Sequence, residues 1–562
     1  MCRRLDEIEF VDSLWTRRLD VWTADAETQQ QIRNRLGWLH AMDAVTSQRA
    51  RMHALADSVR AGGLTDVVLL GMGGSSLAPE VLRQVLGVAP GFPRFRMLDS
   101  VDPDAVRAAF ERAGTSLFVL ASKSGSTIEP NVMAAEARRR LEASGIASWG
   151  SRFVAITDEG TALHTRALAE QFCEIFVNPS DIGGRYSALS LFGMVPAALM
   201  GADVDAIMAS ARSMEAECRA VEVSANPGCV LGAFMAAAAE AGRDKLTLFL
   251  PERLASFGLW VEQLIAESTG KEGKGIVPIT GERPEGITSD RAIVLLSFEG
   301  EPPAFPPLDA LRELKTPSLE LDVSNASAIG AEFLRWEMAT ATAGLLLGIN
   351  PFDEPNVQQA KDATRKLLDQ YRSTGRLPVR ESHGEFKGAS LTLSAAAKEA
   401  VGDNVTVDQF TGRLMPGGRW SDGLNGAEHF LSVIGEGDYF ALLAYLPPDR
   451  EPFNSALQGI RVAVGKAGVG ATMFGYGPRY LHSTGQLHKG GANNGVFIIV
   501  TADAQEDLPI PGEPFSFGVL EMAQALGDFE SLESAGRRAL HVHLPRRDVS
   551  LLKHVFDRLL NV

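Results

Sequence analysis

Apolar residues in this chain gather in short, mostly unbroken runs instead of alternating with polar ones. Val67–Leu70, Phe95–Leu98, Leu117–Ala121 and Phe153–Ile156 are four such runs, with helical patterns over Ala78–Leu86, Asp104–Arg112 and Glu129–Ala143 between them. Strands that show no alternation, separated by helices, predict a parallel sheet covered on both faces. A second block begins near residue 225, with strands at Leu246–Leu250 and Ala292–Leu296 and helices at Phe257–Ser268 and Ile329–Leu347. Residues 1–60 read as polar amphipathic helices. Residues 373–390, with Gly375, Pro378 and Gly384, read as a linker, and a third α/β block follows with strands near 439–446, 496–500 and 540–544.

With 562 residues, 45% of them hydrophobic and 22% charged, the chain is too long for one core. Its longest apolar stretch, Gly228–Met235 running into four alanines, is shorter than a membrane span and reads as a buried helix. The start has basic residues but no apolar run behind them, unlike a signal peptide. Cys2, Cys173, Cys218 and Cys229 stand apart with no CxxC pair, which suits a reducing cytoplasm and argues against a disulfide framework or a zinc site. A net charge of −16 argues against nonspecific nucleic-acid binding. An anionic metabolite therefore needs local, preorganised donors.

Three expected strand ends supply them: Gly71–Ser76, Ser122–Thr127 and Thr157–Thr161. Ligands of open parallel sheets bind at the carboxyl ends of the strands, where helix N-termini favour phosphate. Hydroxyls add directional donors without bulk, and Gly125 lets the backbone come close. The plainer reading is helix capping alone, but two consecutive loops of this kind in one sheet favour a phosphate cradle. A dinucleotide reading also exists, since Gly71 and Gly73 follow a strand and Asp99 ends the next. It fails where Ser76 replaces the third glycine and leaves the hydroxyl cluster unexplained.

Gly-Gly-Ser at 73–75, Ser-Lys-Ser-Gly-Ser-Thr at 122–127, Gly-Gly-Arg-Tyr-Ser at 183–187, Glu-Ser-Thr-Gly-Lys at 267–271 and Asn-Pro-Phe-Asp-Glu-Pro-Asn-Val at 350–357 occur in that order. Together they resemble the glucose-6-phosphate isomerase family over roughly residues 40–372. The resemblance implies an α/β fold with two doubly wound parallel-sheet sugar-isomerase (SIS) domains plus a third α/β C-terminal region. The expected division is N-terminal helices at 1–45, the first sugar-isomerase domain at 46–215, the second at 216–372, a linker at 373–390 and the C-terminal region at 391–562. Residues beyond 380 look like the tail of the longer isomerase type fused behind a transaldolase, though no run of eight strand–helix units precedes residue 64.

The resemblance implies interconversion of an aldose and a ketose phosphate through an enediol, in the cytoplasm, without cofactor or metal. The expected partner is a small sugar phosphate, with no nucleic acid or membrane; a homodimer and a relation to a transaldolase domain are further expectations. Phosphate contacts fall to Ser75, Ser122, Ser124 and Thr127, with Lys123 nearby and Gly74 and Gly184 in the substrate loops. Glu267 is the expected base, its helix burying it enough to raise its pKa. Gln263, four residues earlier on the same face, would orient Glu267 or bond the sugar. Arg185 would face the enediolate as a permanent charge, and Lys361 would act at the ring oxygen or O1.

Two departures stand out. Glu354 occupies a place where the family commonly has glutamine, and no histidine lies between His164 and His383, where the family takes its ring-opening residue. Either the Thr484–Gly491 loop reaches the cleft or another residue type substitutes. His488, following Gly-Gln, is preferred there over His482. His541 and His543 alternate along a strand and read as a sheet pair. Two other readings are a sugar-phosphate sensor, which would need neither Glu267 nor Lys361, and a nicotinamide dehydrogenase.

Overall fold

The computed structural model describes residues 1–282, 287–301, 316–404, 406–407, 414–415, 426–467 and 470–560. The first sheet contains β1 (Asp66–Leu70), β2 (Arg94–Leu98), β3 (Ser116–Ala121), β4 (Phe153–Asp158) and β5 (Glu174–Asn178). All are parallel, in the order β2-β1-β3-β4-β5. Val67 and Leu69 enter one apolar core while Val68 and Leu70 enter another on the opposite face. Both faces are covered, which is why these strands show no alternation. β5 escaped the sequence reading because it lies at the edge, burying Phe176 and Asn178 while Val177 stays exposed.

The second sheet, β6 (Lys245–Phe249), β7 (Val277–Ile279), β8 (Arg291–Phe298) and β9 (Ser318–Val323), is parallel with order β7-β6-β8-β9. Its Leu246, Leu248 and Val294 share one continuous core with Val67 and Leu69 of the first sheet. β7 is too short, and β9 too exposed, to register as an apolar run. The apolar stretch near 228 is the buried helix Pro227–Glu240. No described helix is long and apolar enough to cross a membrane.

The stretch expected as a linker is partly ordered structure. Helix Pro355–Thr374 runs into its start, and β10 (Gly384–Phe386) lies within it, antiparallel to β11 (Ala389–Leu393). Gly384 and the neighbouring charges mark a short edge strand, not a chain free of contacts. After the two-residue strands β12 (Thr406–Val407) and β13 (Leu414–Met415), the third sheet continues with β14 (Tyr439–Tyr445), β15 (Ala471–Tyr476), β16 (Gly495–Ala502) and β17 (Arg538–Leu544). Its order is β10-β11-β17-β16-β14-β15, the last four strands parallel. Ala441, Leu443 and Phe497 on one face pack with Ala266, Val277 and Ile279 of the second unit. This docking seats the third sheet against helix Ala255–Thr269, the helix that carries Glu267.

Candidate active site

At the carboxyl ends of β1 and β3 lies a cavity of about 350 Å³. The first sheet reverses strand order here, because β1 connects to β2 on one side and pairs with β3 on the other. Its walls include Gly74, Ser75, Ser122, Lys123, Ser124, Thr127, Gly184, Arg185, Gln263, Glu267, Lys361 and His482. Of the residues expected from the sequence, His488 is not among them.

The hydroxyl loop is held by its own bonds. The Gly125 N–H donates to Ser122 Oγ at 3.2 Å, and the Ser124 and Ser126 hydroxyls lie 2.9 Å apart. Thr127 stands at the N-cap of helix Ile128–Ala143 but makes no side-chain capping bond. That leaves its hydroxyl available to a ligand. Lys123 is tethered, its Nζ donating to Asp158 and to the Ser180 carbonyl at 2.7 Å. Two glycines permit the loops to meet: a Cβ on Gly74 would lie 1.9 Å from the Gly184 oxygen. One on Gly73, whose φ is +54°, would lie 2.6 Å from the His482 oxygen.

Glu267 ends its helix almost fully buried, at 8% exposure. Its Oε2 accepts from Gln263 Nε2 at 3.1 Å, and its Oε1 lies 3.6 Å from Arg185 Nη1. Burial raises its pKa above the ordinary carboxylate range, with Arg185 opposing and Glu354 adding to the rise. Gln263 also donates to the His482 carbonyl at 2.8 Å, so one amide spans the second and third units.

Arg185 ties three sequence motifs together. Its Nε donates to Ser268 Oγ at 2.8 Å, its Nη2 to the carbonyls of Pro351 and Asp353 at 2.8 and 2.9 Å, and its Nη1 to Glu354 at 2.9 Å. Glu354, the departure from glutamine, is thus a partner of the arginine. Burial pushes Glu354 up, but Arg185 outweighs it and holds the carboxyl low. Lys271, omitted from the sequence-based site, donates to the Asn350 carbonyl at 2.8 Å and to Asp353 at 2.6 Å. Burial and the nearby Arg185 lower its pKa to about 8.

The histidine expectation requires correction. Gly485–Gly490 is a short helix, and His488 on it is 1% exposed. Its ring packs against Phe497 at 5.1 Å and Tyr480 at 6.0 Å, with neither nitrogen hydrogen-bonded. Leu487 and His488 turn into the apolar layer beneath the third sheet, while Gln486 takes the polar side. Gln486 donates to the Gly270 carbonyl at 2.9 Å and to Asn356 at 2.7 Å. The cavity instead receives His482, from the preceding turn Arg479–His482. His482 Nε2 lies 2.9 Å from Glu129 Oε1, which also accepts from Gln524 Nε2 at 2.7 Å. Burial pushes the Glu129 pKa up, yet His482 outweighs it and holds the group as a carboxylate. Glu129 and Gln524 were invisible in the sequence, one reading as a first-turn acid and the other as an ordinary helical residue. His541 and His543 both bond the Thr501 hydroxyl, at 2.8 and 3.0 Å.

Two doubly wound sheets sharing a switch-point cleft, with a hydroxyl loop and a buried carboxyl inside it, define the sugar-isomerase class of α/β protein. The phosphoglucose isomerase family model matches residues 28–279. The chain is 31% identical over 443 residues to a glucose-6-phosphate isomerase of Prochlorococcus marinus, covering 71% of this chain and 81% of the relative. It is 29% identical over 412 residues to that of a Geobacter species, covering 64% and 78%. The solved glucose-6-phosphate isomerase of Chlamydia trachomatis shares the fold, with a TM-score of 0.51 at 19% identity over 59% of this chain and 74% of that one. The chain belongs to the phosphoglucose isomerase family. The family-model match ends at residue 279, before β8, β9 and the third sheet.

Proposed function

We propose that the protein interconverts glucose 6-phosphate and fructose 6-phosphate through an enediol. The observation that carries this reading is the buried Glu267 carboxyl, oriented by Gln263 and beside Arg185, in the same cavity as the hydroxyl loop. The phosphate sits on the Ser122–Thr127 loop and Ser75. Glu267 takes the proton from C2 and returns it to C1, its pKa, raised by burial, making it a stronger base than an exposed glutamate. Arg185 stabilises the enediolate without competing for the proton, because its own charge is permanent. His482, held by Glu129, and Lys361 open the ring. A sensor would gain nothing from a desolvated carboxyl at the sugar.

This reading extends to a homodimer in the cytoplasm and to kinship of the region beyond 380 with isomerases fused to a transaldolase. Size-exclusion chromatography with light scattering tests the dimer. A coupled assay supplying fructose 6-phosphate and detecting glucose 6-phosphate tests the activity. No turnover by folded protein would overturn the proposal.

A further inference from the structure

The third sheet has a switch point of its own. β14 lies between β15 and β16. The chain leaves β14 through helix Phe453–Lys466, which packs with helix Val549–Leu560 on one face of the sheet. It leaves β16 through helix Phe517–Ser534, whose Ala525, Phe529 and Leu532 pack on the other face. Connections that diverge in this way open a crevice outside the carboxyl ends of the two strands, the usual ligand position in such sheets. A cavity of about 430 Å³ fills it, walled by Tyr445 at the end of β14 and by Thr501 and Ala502 at the end of β16. It shares no lining residue with the cavity around Glu267.

Its chemistry excludes an anion. The charged residues lining it are Asp503, Asp507 and Glu521, with no lysine or arginine among the described lining residues. The helix that starts beside it has no backbone donors to spare. Phe517 N–H is taken by the Leu508 carbonyl at 2.9 Å, Gly518 N–H by Asp507 at 2.8 Å, and Val519 N–H by Ser516 at 3.2 Å. Glu521 is 5% exposed, and its Oε1 has no hydrogen-bond partner. Its Oε2 lies 3.8 Å from Arg547, whose two terminal nitrogens are engaged by Asp102 and Asp104. Burial and the neighbouring Asp102 raise the Glu521 pKa well above the ordinary carboxylate range, so this unpartnered carboxyl takes a cationic partner by giving up its proton. Tyr371 and Tyr445 line the same cavity, and aromatic rings attract cations.

We propose that this crevice binds a small organic cation, an amine borne on an apolar or aromatic frame, with the ammonium between Asp503 and Glu521 and the frame against the tyrosines. Titration calorimetry on the full chain tests it with phenethylamine, 2-phenylethanol and phenylacetate, which share a frame and differ in charge. Phenethylamine binds at one site, the alcohol about tenfold more weakly, as expected for loss of a charge-assisted contact, and phenylacetate does not bind. Glu521→Gln weakens the amine about tenfold. Asp503→Asn, at an exposed rim position, weakens it only about threefold. Ala504→Trp, filling the mouth, abolishes binding while the circular dichroism spectrum stays unchanged. Three probes of equal affinity, amine binding indifferent to Ala504→Trp, or no amine binding at millimolar concentration overturns the proposal.

Discussion

The crevices of the first and third sheets arise from the same topology and are opposite in character. In the first, Ser122, Ser124 and Thr127 line the strand end together with Arg185 and Lys361. In the third, Asp503, Asp507 and Glu521 occupy the corresponding strand end. Thr127 heads its helix without capping it, so its hydroxyl is left for a ligand, whereas Asp507 and Ser516 consume the donors that begin helix Phe517–Ser534. Strand order fixes where a ligand can sit. The side chains at the strand-to-helix junctions fix the charge it must carry.

The contrast breaks most sharply at Glu267. Replacing it with Gln keeps the shape and the Gln263 contact but removes the proton acceptor, so kcat falls about 10²–10⁴-fold. Inhibition by inorganic phosphate and binding of phenethylamine should both persist. A variant that keeps its kcat removes Glu267 from the role. In the parent protein, burial places the acid limb of kcat/KM above the ordinary glutamate range near 4.5.

Next in size is the histidine. His482→Ala should lower turnover of the cyclic sugar about 10²-fold while sparing C2 proton exchange on the open-chain form. Glu129→Gln should act in the same direction, since it removes the charge facing His482. Equal loss on both forms of the sugar would assign His482 to structure instead.

The hydroxyl loop comes third. Ser122→Ala combined with Thr127→Ala should cost about 1.5–3 kcal/mol per lost donor to a bound dianion, read as weaker competition by inorganic phosphate. The third crevice should be untouched. Unchanged phosphate inhibition returns these hydroxyls to local loop structure.

The smallest effect concerns His488, and it sharpens the comparison by separating burial from catalysis. His488→Leu should leave kcat unaltered and raise stability by up to about 1–3 kcal/mol, because two unpartnered ring nitrogens leave the interior. Burial holds the His488 pKa well below 6.5 in the folded chain. The unfolded chain therefore binds the extra proton as pH drops below about 6.5, and native stability falls with acidification. Denaturant melts at pH 7 and pH 5 should show a smaller drop for the Leu variant. An identical drop would mean that His488 is not the source.

The sequence by itself determined most of the sheets and the anion loop. Strands buried on both faces must be apolar throughout, so Val67–Leu70 and Leu117–Ala121 declare themselves, and a run of hydroxyls where strand becomes helix is a local signal. The motif order placed Glu267, Arg185 and Lys361, and the four-residue helical spacing to Glu267 placed Gln263; the fold brings all four into one cavity. Edge strands such as β5 and β9 were hidden because one side of each faces solvent and needs no apolar run. The choice between His482 and His488 lay beyond any local pattern. It depends on Glu129, 353 positions away in the chain, and on an aromatic layer formed only when Tyr439, Tyr480 and Phe497 assemble from different segments. Burial of a side chain is a property of the neighbours that surround it, and only the tertiary structure supplies those.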